Sequence, residues 1–297
     1  MNCKKVAIIG SNSFLGNALE SHLLSKGYEV LAFGKFSNGH TDFHEFNYPS
    51  KTIDFSLLDD CGAVVYCAAA GVQSNKSYPI NDIYAVNAFL PIEIINYLTN
   101  VSYQGSFISF GSFFEIGNNS ELHGYTEEEV FYSNKPVPNN YCDSKRLLSR
   151  FFSNNKFSIK WYHLILPSLY GKGENSNRLI PYLIDCLLNN KSVKLSAGTQ
   201  VRQYIHINDL LTTVETCINR ELKSGAYNVA PEEAITIKDL VKEVYKACQK
   251  EYVEAKDTIN KPDESMKVLR LSPAKLKREL AQWPLITSIE QGIKSYL

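Results

Sequence analysis

The stretch Lys4-Lys5-Val6-Ala7-Ile8-Ile9-Gly10-Ser11-Asn12-Ser13-Phe14-Leu15-Gly16 decides the fold class. A short apolar run ends at a glycine, and apolar residues then recur at Leu15, Ala18, Leu19, Leu23 and Leu24, the spacing of one helix face. Strand, glycine turn and helix in that order bring backbone N–H groups and a helix N-terminus to one point, where a pyrophosphate can be held. Gly10 permits the tight turn and Gly16 permits close packing of the helix on the strand. Ser13 stands where the usual Gly-x-x-Gly-x-x-Gly pattern has its middle glycine; it lengthens the closest approach slightly and adds a hydroxyl donor. Phe14 and Leu15 complete the cofactor-binding set expected at this turn.

Working outward, Tyr28 to Phe33, Ala63 to Ala69, Ser106 to Phe110 and Trp161 to Leu166 read as strands, with helical patterns between them, notably Ile83 to Leu98. Near-continuous apolar strands alternating with helices predict a doubly wound α/β fold with a parallel sheet covered on both faces, of the Rossmann type. After Pro167 the polar loop Gly171 to Asn177 and a helix over Leu179 to Leu188 suggest a crossing into a smaller C-terminal lobe. Val201 to Ile207 alternates like a strand, Tyr227 to Ala230 reads as a short one, and Ile237 to Cys248 as an amphipathic helix. Ser272 is expected to cap a further helix with Pro273 in its first turn. The predicted division is 1–165 plus about 204–235 for the nucleotide-binding domain, and about 166–203 plus 236–297 for the substrate lobe.

The composition narrows the class. With 31 basic against 31 acidic side chains, no global field draws the chain to nucleic acid or to an anionic membrane, so an anionic ligand must be held locally. The apolar run before Gly10 is too short for a signal-peptide core, and no span approaches the length that crosses a bilayer. The 7 cysteines include no Cys-x-x-Cys pair and the 6 histidines no His-x-x-x-His pair, which points to reduced thiols, a cytoplasmic location and no metal.

Chemistry enters at Tyr141-Cys142-Asp143-Ser144-Lys145, with Ser112 at the end of a predicted strand upstream. A phenol, an ammonium and a hydroxyl together can protonate a ketone. Tyr-x-x-x-Lys occurs twice, but Tyr252/Lys256 lies in a charged stretch with neither a cofactor turn nor such a strand before it. Tyr141 and Lys145, four apart, share one helix face. Lys145 is expected to lower the pKa of the phenol by stabilising phenolate. Cofactor choice turns on the end of the second strand, where an Asp or Glu would bind the ribose hydroxyls of NAD. Gly34-Lys35 stands there instead, which favours NADP(H) over NAD(H).

These features, in this order, resemble the extended short-chain dehydrogenase/reductase family (NAD-dependent epimerases and dehydratases), which acts mainly on nucleotide sugars. The resemblance spans nearly the whole chain: the glycine turn, Val64-Val65-Tyr66-Cys67-Ala68-Ala69, Val86-Asn87, Ser112, Tyr141/Lys145, Leu169-Tyr170-Gly171-Lys172-Gly173, Arg202-Gln203-Tyr204-Ile205-His206-Ile207-Asn208-Asp209 and Tyr227-Asn228-Val229. It implies catalytic roles for Ser112, Tyr141 and Lys145, with the tyrosine exchanging a proton with the substrate oxygen, the serine polarising the carbonyl and the lysine also holding the nicotinamide ribose. It implies cofactor contacts at Ala68, Ala69, Asn87 and Pro167, although Asn87 reads equally as a helix residue packed on a turn. Arg202 is the expected diphosphate clamp, with Arg178, Lys194 and Ser168 as further substrate-binding candidates. His206 and Cys142 read as packing residues. A homodimer through the helices around Ile83 to Leu98 and Asn140 to Phe152 is also implied.

The residues after Ser112 separate reaction types. Dehydratases of the family resemble Thr-Asp-Glu at this point, and the epimerising reductases that make GDP-fucose carry a cysteine nearby; Phe113 and Phe114 match neither. The pair reads equally as a wall beside the sugar or as core. Hydride transfer at one carbon remains. The absent strand-two acid and the segment Lys194 to Gln200 resemble small bacterial reductases that finish deoxysugars such as CDP-abequose and CDP-paratose. The expected activity is NADPH-dependent reduction of a nucleotide-linked 4-keto-6-deoxyhexose, supplying surface polysaccharide such as lipopolysaccharide O-antigen. The alternatives are a C4-epimerase with bound NAD and a non-catalytic NADP-binding sensor.

Overall fold

The computed structural model describes residues 5–37, 39, 42–72, 77–254, 257–258, 265–280 and 287–297. Cys3 and Lys256 lie outside them. β1 (Lys5–Ile9) runs through the Gly10 turn into α1 (Phe14–Ser25), followed by β2 (Glu29–Gly34) and β3 (Asp42–Glu45). β4 (Ala63–Tyr66) leads to a helical stretch made of α2 (Ile80–Tyr84), a wide π turn over Ala85–Phe89, and α3 (Leu90–Asn100). β5 (Ser106–Ser112), α4 (Glu127–Phe131), α5 (Asn140–Asn154) and β6 (Lys160–Leu166) follow. Then come β7 (Ser168–Tyr170), α6 (Leu179–Leu188), β8 (Lys194–Leu195), β9 (Val201–Arg202), β10 (Tyr204–His206) and α7 (Ile207–Ile218). β11 (Gly225–Asn228), β12 (Ile235–Thr236), α8 (Ile237–Ala247), β13 (Asp257–Thr258), α9 (Ala274–Glu279) and α10 (Ile289–Lys294) complete the described chain.

Seven strands form one parallel sheet in the order β11-β6-β5-β4-β1-β2-β3. Side chains alternate faces along a strand, so Val6 and Ile8 enter one apolar cluster while Ala7 and Ile9 enter another on the opposite face. This is the doubly wound arrangement predicted, and it places the Gly10 turn at the point where the strand order reverses, between β1 and β4. A separate apolar cluster joins α6, α8 and α10 around Tyr170, Ile184 and Val244. No helix among the described residues is long and apolar enough to cross a membrane.

Local departures from the sequence reading have physical causes. The π turn precedes Pro91, which has no N–H to give the carbonyl of Asn87 four residues back, so the helix widens there. The strand expected over Val201 to Ile207 is broken. β9 pairs antiparallel with β12 and β10 pairs parallel with β7, and between them the buried Gln203 side chain donates to Pro231 O and to Leu271 O at 3.0 Å while accepting from Leu271 N at 2.7 Å. Ile207 already opens α7. Ser272 does not cap α9. The helix starts at Ala274 behind Pro273, and Ser272 donates its amide to Tyr125 O at 2.8 Å while its carbonyl accepts from Asn228 Nδ2 at 3.0 Å.

Candidate active site

The turn after β1 is built for close approach. Gly10 has φ +89°, and a Cβ there would lie 2.5 Å from Ala68 N; a Cβ at Gly16 would lie 2.3 Å from the Gly10 carbonyl oxygen. Both positions therefore exclude a side chain, and the turn sits directly against the end of β4. Ser13 caps α1, its hydroxyl accepting from Gly16 N at 3.0 Å, so that oxygen is committed and its hydrogen stays free to donate. Phe14 opens α1, and Leu15 is buried in the core beneath it. Ser11 Oγ is buried with no hydrogen-bond partner. Bare backbone at Gly10 and Gly16, a helix N-terminus and an orphaned buried hydroxyl together fit a dinucleotide pyrophosphate.

At the end of β2 the side chains of the turn crowd the position where a carboxylate would stand. A Cβ on Gly34 would stand 2.5 Å from both Asn12 Oδ1 and Ser11 Oγ. Asn12, which the sequence reading passed over, holds this rim: Oδ1 accepts from Lys35 N at 2.6 Å and Phe36 N at 3.1 Å, and Nδ2 donates to Phe36 O at 2.9 Å. Lys35 is exposed. Across the ladder from Gly34 lies Glu45 of β3, also unforeseen, with its carboxylate paired to Lys51 at 2.6 Å.

The end of β5 and the first turns of α5 bring Ser112, Tyr141 and Lys145 together. The Ser112 side chain hydrogen-bonds Tyr141, and Lys145, 5 % exposed, donates Nζ to Phe110 O at 2.9 Å. Asn87 is fully buried in the π turn. Its amide donates to Ala70 O and Ser144 Oγ, each at 2.9 Å, and accepts from Ala70 N at 2.8 Å, so it ties the end of β4 to α5 rather than offering an amide to a cofactor. Ala69 is exposed beyond β4, and Pro167 is buried between β6 and β7.

The electrostatics correct one expectation. Burial pushes the Tyr141 phenol well above its usual range; a Ser112 hydrogen bond and the Arg178 charge act the other way, and Glu115 adds to the rise. Lys145 is not among the groups that draw the phenol down, and its ammonium donates to the Phe110 carbonyl. Burial lowers Lys145 itself to about 8, opposed by Glu115 and Cys67. The phenol is thus held protonated, the form that donates. Cys142 is buried and its thiol is pushed up to about 12 by burial, in keeping with packing.

The substrate candidates divide. Phe113 is 1 % exposed inside an apolar cluster with Ile116, Tyr125 and Leu269, so it is core and not a wall beside a sugar; Phe114, half-buried, meets its ring edge-on at 4.9 Å. Arg178 stands at the start of α6, and Nε pairs with Glu174 Oε2 at 2.8 Å. Its charge reaches Tyr141. Glu174 also accepts from Tyr296 Oη. Ser168 is half-buried on β7, its amide on Gln203 O at 3.1 Å. Lys194 is exposed on β8, and its amide donates to Tyr182 Oη at 2.9 Å. Arg202, 3 % exposed, donates Nη1 to Val201 O at 2.9 Å and Lys267 O at 3.3 Å, joining two backbone segments. His206 caps α7, as a packing role requires. Tyr252 packs edge-on against Tyr245 at 5.4 Å, in a different part of the molecule's hydrogen-bonded framework from Ser112.

The family model described as NAD dependent epimerase/dehydratase family matches residues 6–230. A CDP-abequose synthase from Salmonella muenchen is 24 % identical over 99 % of this chain and 97 % of its own length. One from Yersinia pseudotuberculosis is 23 % identical over 75 % of this chain and 76 % of its own. Among solved structures, UDP-glucose 4-epimerase from Thermotoga maritima, in a crystal with UDP-glucose, superposes with TM-score 0.81 at 16 % identity, covering 98 % of this chain and 97 % of that one. The dTDP-glucose 4,6-dehydratase from Bacillus anthracis, in complex with NAD, superposes with TM-score 0.78 at 15 % identity, covering 98 % and 94 %.

Proposed function

Because the chain belongs to the NAD dependent epimerase/dehydratase family, we propose that it is a nucleotide-sugar 4-ketoreductase that uses NADPH to reduce a nucleotide-linked 4-keto-6-deoxyhexose. The observation that carries this reading is the meeting of Ser112 and a protonated Tyr141, with Phe113 and Phe114 in place of acid/base residues beside them. Ser112 would hydrogen-bond the substrate carbonyl oxygen, and Tyr141 would give it a proton as negative charge develops there. Lys145, whose ammonium also donates to Phe110 O, would hold the nicotinamide ribose. A hydride to the carbonyl carbon is the chemistry a bound reduced dinucleotide supplies. Eliminating water needs a second acid/base group reaching the sugar. The carboxyl closest in sequence, Glu115, is fully buried and turned back to Ser112 N. Similarity over nearly the full length to CDP-abequose synthases supports a deoxysugar nucleotide as substrate.

The packed Gly34 and exposed Lys35 support NADP(H) over NAD(H), since no carboxylate stands at the end of β2 and a cation follows it. The exposed apolar side chains of Ile80, Phe89 and Leu147 support a homodimer through α2, α5 and the π turn. The test is oxidation of NADPH, against NADH, with a panel of nucleotide-linked 4-keto-6-deoxy sugars. Turnover should fall by about 10²- to 10⁴-fold in Tyr141→Phe. Cofactor binding without oxidation on any sugar, or full activity in Tyr141→Phe, would overturn the proposal.

A further inference from the structure

Behind the catalytic residues the structure holds a carboxylate that the proton transfer itself does not use. Glu115 is 0 % exposed. Its Oε1 accepts from the backbone N–H of Ser112 at 2.6 Å, the serine capping the turn from which Glu115 reaches back. Its Oε2 is buried with no hydrogen-bond partner. Burying a carboxylate so incompletely bonded is costly unless cations compensate it. Burial pushes the Glu115 carboxyl above its usual range, and the Lys145 ammonium and the Arg146 guanidinium, both nearly buried, act the other way. Arg146 is anchored by Nε on Glu115 O at 2.8 Å and by Nη2 on Ile116 O at 3.2 Å.

The space is shaped for this group. A Cβ on Gly111 would lie 2.9 Å from Glu115 Oε1 and 2.8 Å from His163 Nε2, so only glycine leaves room on β5. His163 is fixed between Ser109 Oγ and Ser149 Oγ, each at 2.9 Å, and burial lowers it to about 3, so it adds no charge. The Ser149 hydroxyl on α5 also favours the carboxylate. The remaining titratable groups facing the pair are Cys67 at the end of β4, held neutral by burial, and Tyr141 and Cys142 on α5.

We propose that Glu115 is a positioning residue: a carboxylate that holds Ser112 in place through its amide and favours the ammonium form of Lys145, the lysine that donates to Phe110 O. It acts through Ser112 and Lys145 without touching substrate. Ser112 and Lys145 cannot do this for themselves, since the lysine sits in apolar surroundings that favour its neutral amine. The proposal rests on the assignment of Ser112, Tyr141 and Lys145 as the catalytic set, but its test does not need turnover.

The test is NMR titration of the Lys145 ε-carbon in the full chain carrying ¹³C-labelled lysine, the resonance assigned by its loss in Lys145→Met. Lys145 should titrate near 8 in the unaltered protein. In Glu115→Gln, which keeps an acceptor for Ser112 N–H but not the charge, it should titrate lower, with a smaller ratio of ammonium to amine at any given pH. Ser149→Ala should shift it in the same direction by less. An unchanged Lys145 titration in Glu115→Gln, or in Ser149→Ala should Glu115→Gln fail to fold, overturns the proposal and leaves Glu115 as a cap of the turn. Full activity in Tyr141→Phe would instead defeat the ketoreductase reading while leaving the Lys145 titration as it is.

Discussion

Lys145 should make the protein gain stability as the medium becomes alkaline. Its folded state holds a nearly buried ammonium whose pKa burial has lowered from 10.5 to about 8. Below pH 8 both folded and unfolded chains carry the proton, and the folded chain bears the full desolvation cost. Between pH 8 and 10.5 the unfolded chain binds more protons than the folded one, so stability rises with pH across that window and the cost is gone above it. A shift of this size corresponds to about 3 kcal/mol, and to about 2 kcal/mol of the change between pH 8 and 10. The perturbation is Lys145→Met, which keeps the length of the side chain and removes its charge. Urea unfolding of both proteins at several pH values between 7 and 10.5 supplies the assay, because the difference in unfolding free energy cancels the other lysines, tyrosines and cysteines. The unaltered protein should gain about 2 kcal/mol on the variant from pH 8 to 10. A difference that stays flat, or that moves the other way, would refute the placement of Lys145 as a desolvated cation. On the proposed function the variant should meanwhile lose turnover.

Phe113→Ala should lower stability by about 3–5 kcal/mol, because it empties a fully buried site beside Ile116 and Leu269; thermal unfolding checks this, and a large rise in substrate KM with unchanged melting temperature would return Phe113 to the sugar site. Gly16→Ala drives a methyl to 2.3 Å from the Gly10 carbonyl, backbone that cannot yield without opening the turn; NADPH affinity by fluorescence titration should weaken by about tenfold or more while the sheet stays folded, and unaltered affinity would show that the pyrophosphate lies elsewhere.

Much of this was readable along the chain. The seven residues from Gly10 to Gly16, the fully apolar runs at Val64 and Phe107, and the four-residue spacing of Tyr141 and Lys145 all express local rules: strand and helix periodicity, and the two places where only backbone fits. Chain order and right-handed crossovers then place the ends of β1, β4 and β5 side by side. The breaks escaped for the same reason the rest was legible. Gln203 interrupts an alternating run because its amide meets Pro231 and Leu271, far along the chain, and no local pattern reports that.

What the sequence alone determined is the parallel sheet, the close-packed glycine turn and the placing of Tyr141 and Lys145 on one helix face, since these follow from residue spacing on single elements. What only the tertiary structure decided is charge. The phenol is raised and not lowered, Phe113 is core and not wall, and Glu115 is buried within reach of the Lys145 charge, because desolvation and Coulomb interaction depend on which distant residues exclude water from each oxygen and nitrogen, and spacing along one helix cannot carry that.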